Sequence, residues 1–296
     1  MKIKHLLLVA LMIPTLNAWA QKAKIELNLT KGETYSQSQK STAKVSQQLG
    51  GQSMDIDMII TGSTDYTVTA IEGDVFSMDV KYTSLSMSMN SPQGKVEFSS
   101  ENNGKDMMSQ VFAGMKNKVF QIKMNKMGHV TSLSGLDNLW SVIDDFEGAN
   151  DAQKEAVKAQ LMQSYGEEAF KSSIELIFAV YPKEKVAPGS KWEVENKIRN
   201  SMTADLNGTY KYVEATNDSY IIHGESEVAT DPSKTMTTNG MEISYDLQGN
   251  MIADIKIDKK SGWITEATQK QTMSGKAMTG GMEIPMSINT ESEFSN

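Results

Sequence analysis

Cysteine is absent from all 296 residues. That excludes disulfides, thiol catalysis and any zinc site built on thiolates. It also excludes the acylated N-terminal cysteine of a bacterial lipoprotein. Arginine occurs once, at Arg199, so forked recognition of carboxylate or phosphate is hardly available. Histidine is scarce: beyond residue 20 only His129 and His223 remain. Neither has a second histidine or a carboxylate at metal-ligand spacing on a helix, and no HExxH occurs. A GxSxG elbow, a phosphate loop, a dinucleotide fingerprint and a calcium loop are all missing. Paired carboxylates such as Asp55/Asp57 and Asp144/Asp145 exist, as glycoside chemistry would need. Asp55 and Asp57, however, share one face of an alternating stretch, which reads as a solvated side. The expectation is a non-enzymatic protein with no cofactor and no metal.

Long apolar runs are missing too, except near the start. Lys2 and Lys4 precede an apolar run from Leu6 to Ile13, and Ala18-Trp-Ala20 forms an A-x-A cleavage pattern before Gln21. Residues 1–20 read as a signal peptide, and its run is too short to span a bilayer. The expectation is an exported, soluble chain of the periplasm or the extracellular space, neither lipidated nor membrane-spanning. Export, no cysteine and a plain leader together suggest a bacterial envelope protein.

Without Lys2 and Lys4, 27 basic residues face 37 acidic ones, a net charge of −10. No basic cluster interrupts this surface, which argues against a nucleic-acid partner.

What the chain does have is alternation. Ile122-Lys-Met-Asn-Lys-Met-Gly-His-Val-Thr131 and Ile255-Lys-Ile-Asp-Lys-Lys-Ser-Gly-Trp-Ile-Thr265 each read as strand, glycine turn, strand. Two further pairs match in the same order. Lys31-Gly-Glu-Thr-Tyr35 parallels Pro188-Gly-Ser-Lys-Trp192, and the stretch from Tyr66 to Phe76 parallels Tyr210 to Tyr220. This predicts an internal duplication. Period-two patterns also run through Ile25 to Leu29, Met54 to Ile60 and Phe76 to Tyr82. After Tyr82 the parity flips to Leu85, Met87 and Met89, which predicts a bulge near Thr83. Tyr35 to Gln48 is polar and reads as an exposed or edge strand. Gly275 to Gly281 reads as a turn, and Pro285 as an edge marker.

Between the two halves the period changes to about 3.6. Leu136, Leu139, Trp140 and Ile143 form one stripe, and Ala169, Phe170, Ile174, Ile177, Phe178 and Tyr181 another. The predicted fold is mainly β (α+β): two related antiparallel sheets or half-barrels with a helical insertion between them. Residues 21–136 make the first β half, 137–181 the insertion and 182–296 the second β half.

Leu27-x-Leu-x-Lys-Gly-x-x-Tyr35, Pro188-Gly-Ser-x-Trp192 and the two Lys- and Gly-bearing turns carry a resemblance. The chain resembles an uncharacterised family of exported bacterial envelope proteins, which implies no activity. More remotely, its layout is similar to the half-barrel lipoprotein carriers of the periplasm, where a curved sheet and helices enclose lipid. That similarity is architectural.

Methionine is the abundant residue, 21 against 8 phenylalanines. Met suits irregular cores and deformable apolar surfaces. The reading of function is an apolar small molecule or lipid held between curved sheet and helices. The candidate ligand-binding residues are Met54, Ile56, Met58, Met78, Val80, Met87, Trp140 and Phe178. The alternative is a structural or assembly protein that binds another envelope protein through strand faces or edges.

Overall fold

A computed structural model describes residues 22–102, 106–144, 150–164, 166–199, 202–238 and 241–296. The predicted leader and its cleavage site lie outside the described residues, as does Asp145.

The first half contains β1 (Thr34–Leu49), β2 (Gln52–Glu72), β3 (Val75–Ser91), β4 (Gly94–Ser99), α1 (Met107–Met115), β5 (Val119–Asn125) and β6 (Val130–Ser134). Then come α2 (Asp137–Trp140), a 3-10 turn at Ser141–Ile143, α3 (Asp151–Ser164) and α4 (Glu167–Phe178). The second half contains β7 (Lys191–Arg199), β8 (Thr203–Ala215), β9 (Ser219–Thr230), β10 (Thr235–Thr238), β11 (Met241–Asp258), β12 (Ile264–Thr279) and β13 (Met282–Ser295).

All 13 strands belong to one antiparallel sheet that is not closed into a barrel. Its order is β6-β5-β3-β2-β1-β13-β12-β11-β9-β8-β7, with β4 on β3 and β10 on β11. The order 6-5-3-2-1 is followed, after β13, by 12-11-9-8-7, so the same meander is laid down twice in the same direction. The two predicted sheets are thus continuous: β1 pairs β13 from Ser38↔Ser295 to Gln47↔Met286.

The two edge strands, β6 and β7, are bridged by α4. Glu175 Oε1 on α4 accepts from the backbone N–H of Val130 at 2.8 Å. Ser172 Oγ accepts from the backbone N–H of Arg199 at 3.2 Å. Covering both edges with one helix removes the open ladder that would otherwise invite pairing with other chains. The helix forms because Glu167 and Glu168 sit in its first turn, where the helix dipole favours them. Ala169, Phe170, Ile174 and Phe178 are buried on its inner side.

One end of the curled sheet is sealed. Residues 23–29 cross it as an extended strap: Ala23 bridges Val186, Leu27 N–H donates to Lys126 O, and Asn28 N–H donates to Ser261 O. Alternation in this stretch predicted a strand. Ile25, Leu27 and Leu29 are indeed buried, but their backbone meets hairpin turns rather than a neighbouring strand. Burying each side chain contributes about 1.5–3 kcal/mol. The twin turns between β5 and β6 and between β11 and β12 both lie on this strap.

Three other sequence readings need correction. β1 is a central strand, bonded to β2 and β13, not an edge. The predicted turn from Gly275 shrinks to Gly280-Gly281, because β12 continues to Thr279. Pro285 lies on a central strand, opposite Lys276 of β12 and just past the last β1 pair. The bulge predicted near Thr83 is present: Ser63 pairs Ser84 and Thr64 pairs Tyr82.

Candidate functional site

Because β2 keeps an unbroken register against β1, its even-numbered residues share one face. Tyr66 and Val68 on that face are buried in the closed end. There Trp263 stacks near Phe178 (ring centroids 4.7 Å), Tyr35 (5.1 Å) and Tyr66 (5.3 Å). Higher on the same face the packing stops.

A cavity of about 320 Å³ opens between α4 and strands β1, β2, β3, β12 and β13. Ile60, Tyr66, Tyr82, Leu85, Ile174 and Ile177 form much of its apolar wall. Gln37, Gln39, Gln269 and Ser292, with Thr61, Thr64 and Ser173, supply the polar part, and no charged side chain lines it. A second cavity of about 190 Å³ continues under Leu176 and shares Ser173, Gln269 and Ser292 with the first. Together they fall in the size range of small-molecule sites, roughly 300–1,000 Å³. Two wider depressions, of about 530 and 620 Å³, lie over the backbones of β9 and β11 to β13, the first reaching β1 as well. Their linings include solvent-facing Asp254, Glu266 and Glu293 in one and Glu227 and Asn250 in the other, so they are saddles of a twisted sheet.

Most polar groups around the smaller cavities are satisfied. Gln39 Nε2 donates to Ser41 Oγ at 2.9 Å, Ser41 and Ser292 share a 2.7 Å hydrogen bond, and Gln269 Nε2 donates to Leu176 O at 3.1 Å. Gln37 differs: it is buried, and its Nε2 has no partner. Burial pushes the Tyr66 and Tyr82 hydroxyls well above the usual tyrosine range, so both stay protonated.

Beyond the cavities the same face carries an apolar band. Met54, Ile56 and Met58 continue the parity of Ile60, and Met87 and Met89 pair with Ile60 and Met58. Val45 on β1 sits between Ile56 and Ile288, and Gln47 beyond it between Met54 and Met286. Ile60 is exposed and the other apolar residues are partly buried. Of the eight predicted site residues, the structure gathers Met54, Ile56, Met58 and Met87 in this band. Met78, Val80, Trp140 and Phe178, at 0–3% exposure, are packed in the core and do not line the cavity.

Sequence reasoning missed Gln37, Tyr66, Tyr82 and Gln269. Gln37 lies in the polar stretch read as an edge; it pairs with Thr64 of β2, one residue before the ladder to β13 begins at Ser38.

The two histidines stand apart from this site. His129 is half-exposed beside Glu175 (3.8 Å), and His223 lies among Asp254 and Glu225. Among the described residues no group of three or more His, Asp or Glu side chains could hold a metal ion, and no helix is long and apolar enough to cross a membrane.

A family model described as a family of unknown function, DUF6263, matches residues 73–264, from the β2–β3 turn to the second twin hairpin. No curated protein matches the chain. Among solved structures, an outer membrane channel from Pseudomonas putida F1 aligns over 91% of this chain and 97% of its own. The identity is 5% and the TM-score 0.28, values at which the likeness supports no conclusion.

Proposed function

The chain belongs to the DUF6263 family, whose name carries no activity, and from its geometry we propose a non-enzymatic exported protein that binds an apolar ligand. The site is the trough between the concave sheet face and α4. One observation carries this reading: a charge-free cavity beside α4 runs into a partly exposed band of methionine and isoleucine. A sheet face that is apolar normally needs a covering layer, and α4 supplies one only at the closed end. From Gln37 to Val45 the strand spans eight residues, about 26 Å at ~3.3 Å each. One leaflet of a bilayer's ~30 Å hydrocarbon core is about half of that core, so an extended acyl chain fits along the band. Methionines give it a deformable wall.

The test is chain-length dependence. Affinity for saturated alkyl probes, followed by native mass spectrometry and dye displacement, should rise by up to ~0.8 kcal/mol per added CH₂. Met58→Asp and Met87→Asp should weaken binding of every probe while the fold survives, since both positions are partly exposed. Flat affinity across chain lengths would refute the reading.

A second reading rests on a separate observation. Register places the β1–β2, β12–β13 and β10–β11 hairpin ends together at the open end of the sheet. Leu49, Met282 and Met241 there are 47%, 59% and 55% exposed. Such tips suit assembly with another envelope component. Because the chain has no cysteine, Leu49→Cys gives a unique crosslinking handle. Recovery of one defined protein partner from cells, with no alkyl binding, would favour this reading over the first.

A further inference from the structure

Resting on the trough reading above, we propose that the bound molecule carries an uncharged carbonyl, as in an acyl ester or amide, held by the side-chain amide of Gln37. Gln37 is 5% exposed, lines the cavity, and has no hydrogen-bond partner at Nε2. A buried amide N–H without an acceptor is costly, and folded chains seldom keep one unless a water or ligand supplies the missing atom.

The neighbouring polar groups do not supply it. Gln39, Ser41, Ser292 and Gln269 are engaged with one another or with the Leu176 carbonyl. The cavity does contain further donors, because the Tyr66 and Tyr82 side chains line it. Neither hydroxyl bonds another described residue. Gln37 and the two tyrosines thus bring hydrogen-bond donors to one space with apolar walls. A ligand acceptor beside Gln37 would complete the buried N–H that the protein leaves unpaired.

The absence of charge narrows the acceptor further. A carboxylate buried here would lose its hydration without gaining a cation. Lys197, the one charged residue lining the adjoining cavity, is exposed and alternates with the buried Asn196 and Ile198 on β7. A neutral ester or amide carbonyl accepts the same hydrogen bonds without that penalty. Strand direction then orients the molecule. Gln37 lies near the closed end of β1 and Val45 further along the same face. A carbonyl at Gln37 leaves its alkyl chain to run along the methionine band.

The experiment compares three probes of one chain length, monopalmitoylglycerol, palmitate and hexadecane, in displacement of an apolar dye from the purified leaderless chain. The ester should compete better than hexadecane by about tenfold, and better than palmitate at neutral pH. Gln37→Leu should close the gap between ester and hexadecane, so that the two compete equally. Gln37→Met keeps the length, removes the donor, and should also remove the ester preference. The infrared stretch of a carbonyl-labelled ester should fall in frequency on binding the native chain and not on binding Gln37→Leu.

Equal competition by ester and hexadecane, tightest binding of palmitate, or an ester preference that survives both substitutions would overturn the carbonyl anchor and leave the trough reading standing. Failure of all three probes to displace the dye would instead remove the trough reading on which it rests.

Discussion

Glu175 on α4 accepts a 2.8 Å hydrogen bond from the backbone N–H of Val130, the first residue of edge strand β6. Val130 is 1% exposed, so no solvent replaces that acceptor. The bond ties one free edge of the sheet to the helix, as Ser172 ties the other. Glu175→Ala should therefore cost about 2 kcal/mol, the penalty of a buried donor left unmade to a charged acceptor. Glu175→Gln keeps a carbonyl oxygen in place and should cost less than half as much. Urea denaturation of the two variants against the native chain measures the difference.

The twin turns give a sharper contrast. Gly128 (φ 82°) and Gly262 (φ 67°) both occupy the left-handed region, and a Cβ on either would come 1.9 Å from a backbone oxygen, of Phe178 and Glu26 respectively. Gly73 has a similar φ of 62° but open space around it. Gly73→Ala should cost only the backbone strain, about 1–2 kcal/mol. Gly128→Ala and Gly262→Ala should cost distinctly more, because backbone must also move. Thermal unfolding of all three should separate them, at roughly 2–4 °C per kcal/mol for a chain of this size class.

These turns were legible because they combine period-two flanks with a glycine that local geometry demands. The bulge at Thr83 was legible for a similar reason: the flip from Tyr82 to Leu85 has no other local cause. Ile25, Leu27 and Leu29 were legible as buried but not as a strap, since alternation reports which side is dry and not what the backbone bonds to. β1 was misread because Gln37, Gln39 and Ser41 are polar, and polarity in a strand usually means solvent. Its central place is set by β13, whose pairing partners lie some 250 residues away in sequence. Of the candidate site, the methionine band could be seen by parity alone. The polar floor could not, because only tertiary pairing with β13 and α4 buries it.

His223 offers a pH dependence. Its Nδ1 lies 2.7 Å from Asp254 Oδ1 and its Nε2 3.4 Å from Glu225 Oε1, while Lys211 pairs it across from β8. The Asp254 hydrogen bond leads in raising its pKa above the usual 6.5, against partial desolvation. A folded pKa above the unfolded one means the imidazolium stabilises the fold. That contribution is complete below about pH 6.5 and is lost as pH rises through the raised value. The side chain is 35% exposed, so screening keeps the effect under about 1 kcal/mol. The stability gap between the native chain and His223→Gln should be larger at about pH 6 than at about pH 8. A gap independent of pH would contradict this.

Gln37 makes a prediction about the empty protein that runs against the usual cost of a core substitution. Most replacements of a buried residue destabilise, by about 0.5–3 kcal/mol. Here the side chain contributes an amide nitrogen with no partner, in a strand whose neighbours already satisfy one another. Leucine is one atom shorter but of comparable bulk, and buries no polar atom. Gln37→Leu should therefore raise the unfolding midpoint of ligand-free protein, in keeping with the roughly 1–3 kcal/mol that an unsatisfied buried donor costs. The same variant should gain nothing from added monopalmitoylglycerol beyond what hexadecane gives, whereas the native chain should gain more from the ester. A residue kept only for packing would show the opposite order, with lower stability when empty and the same response to both probes. Paired melting curves, with and without each probe, decide between a side chain that holds the sheet together and one held ready for a ligand.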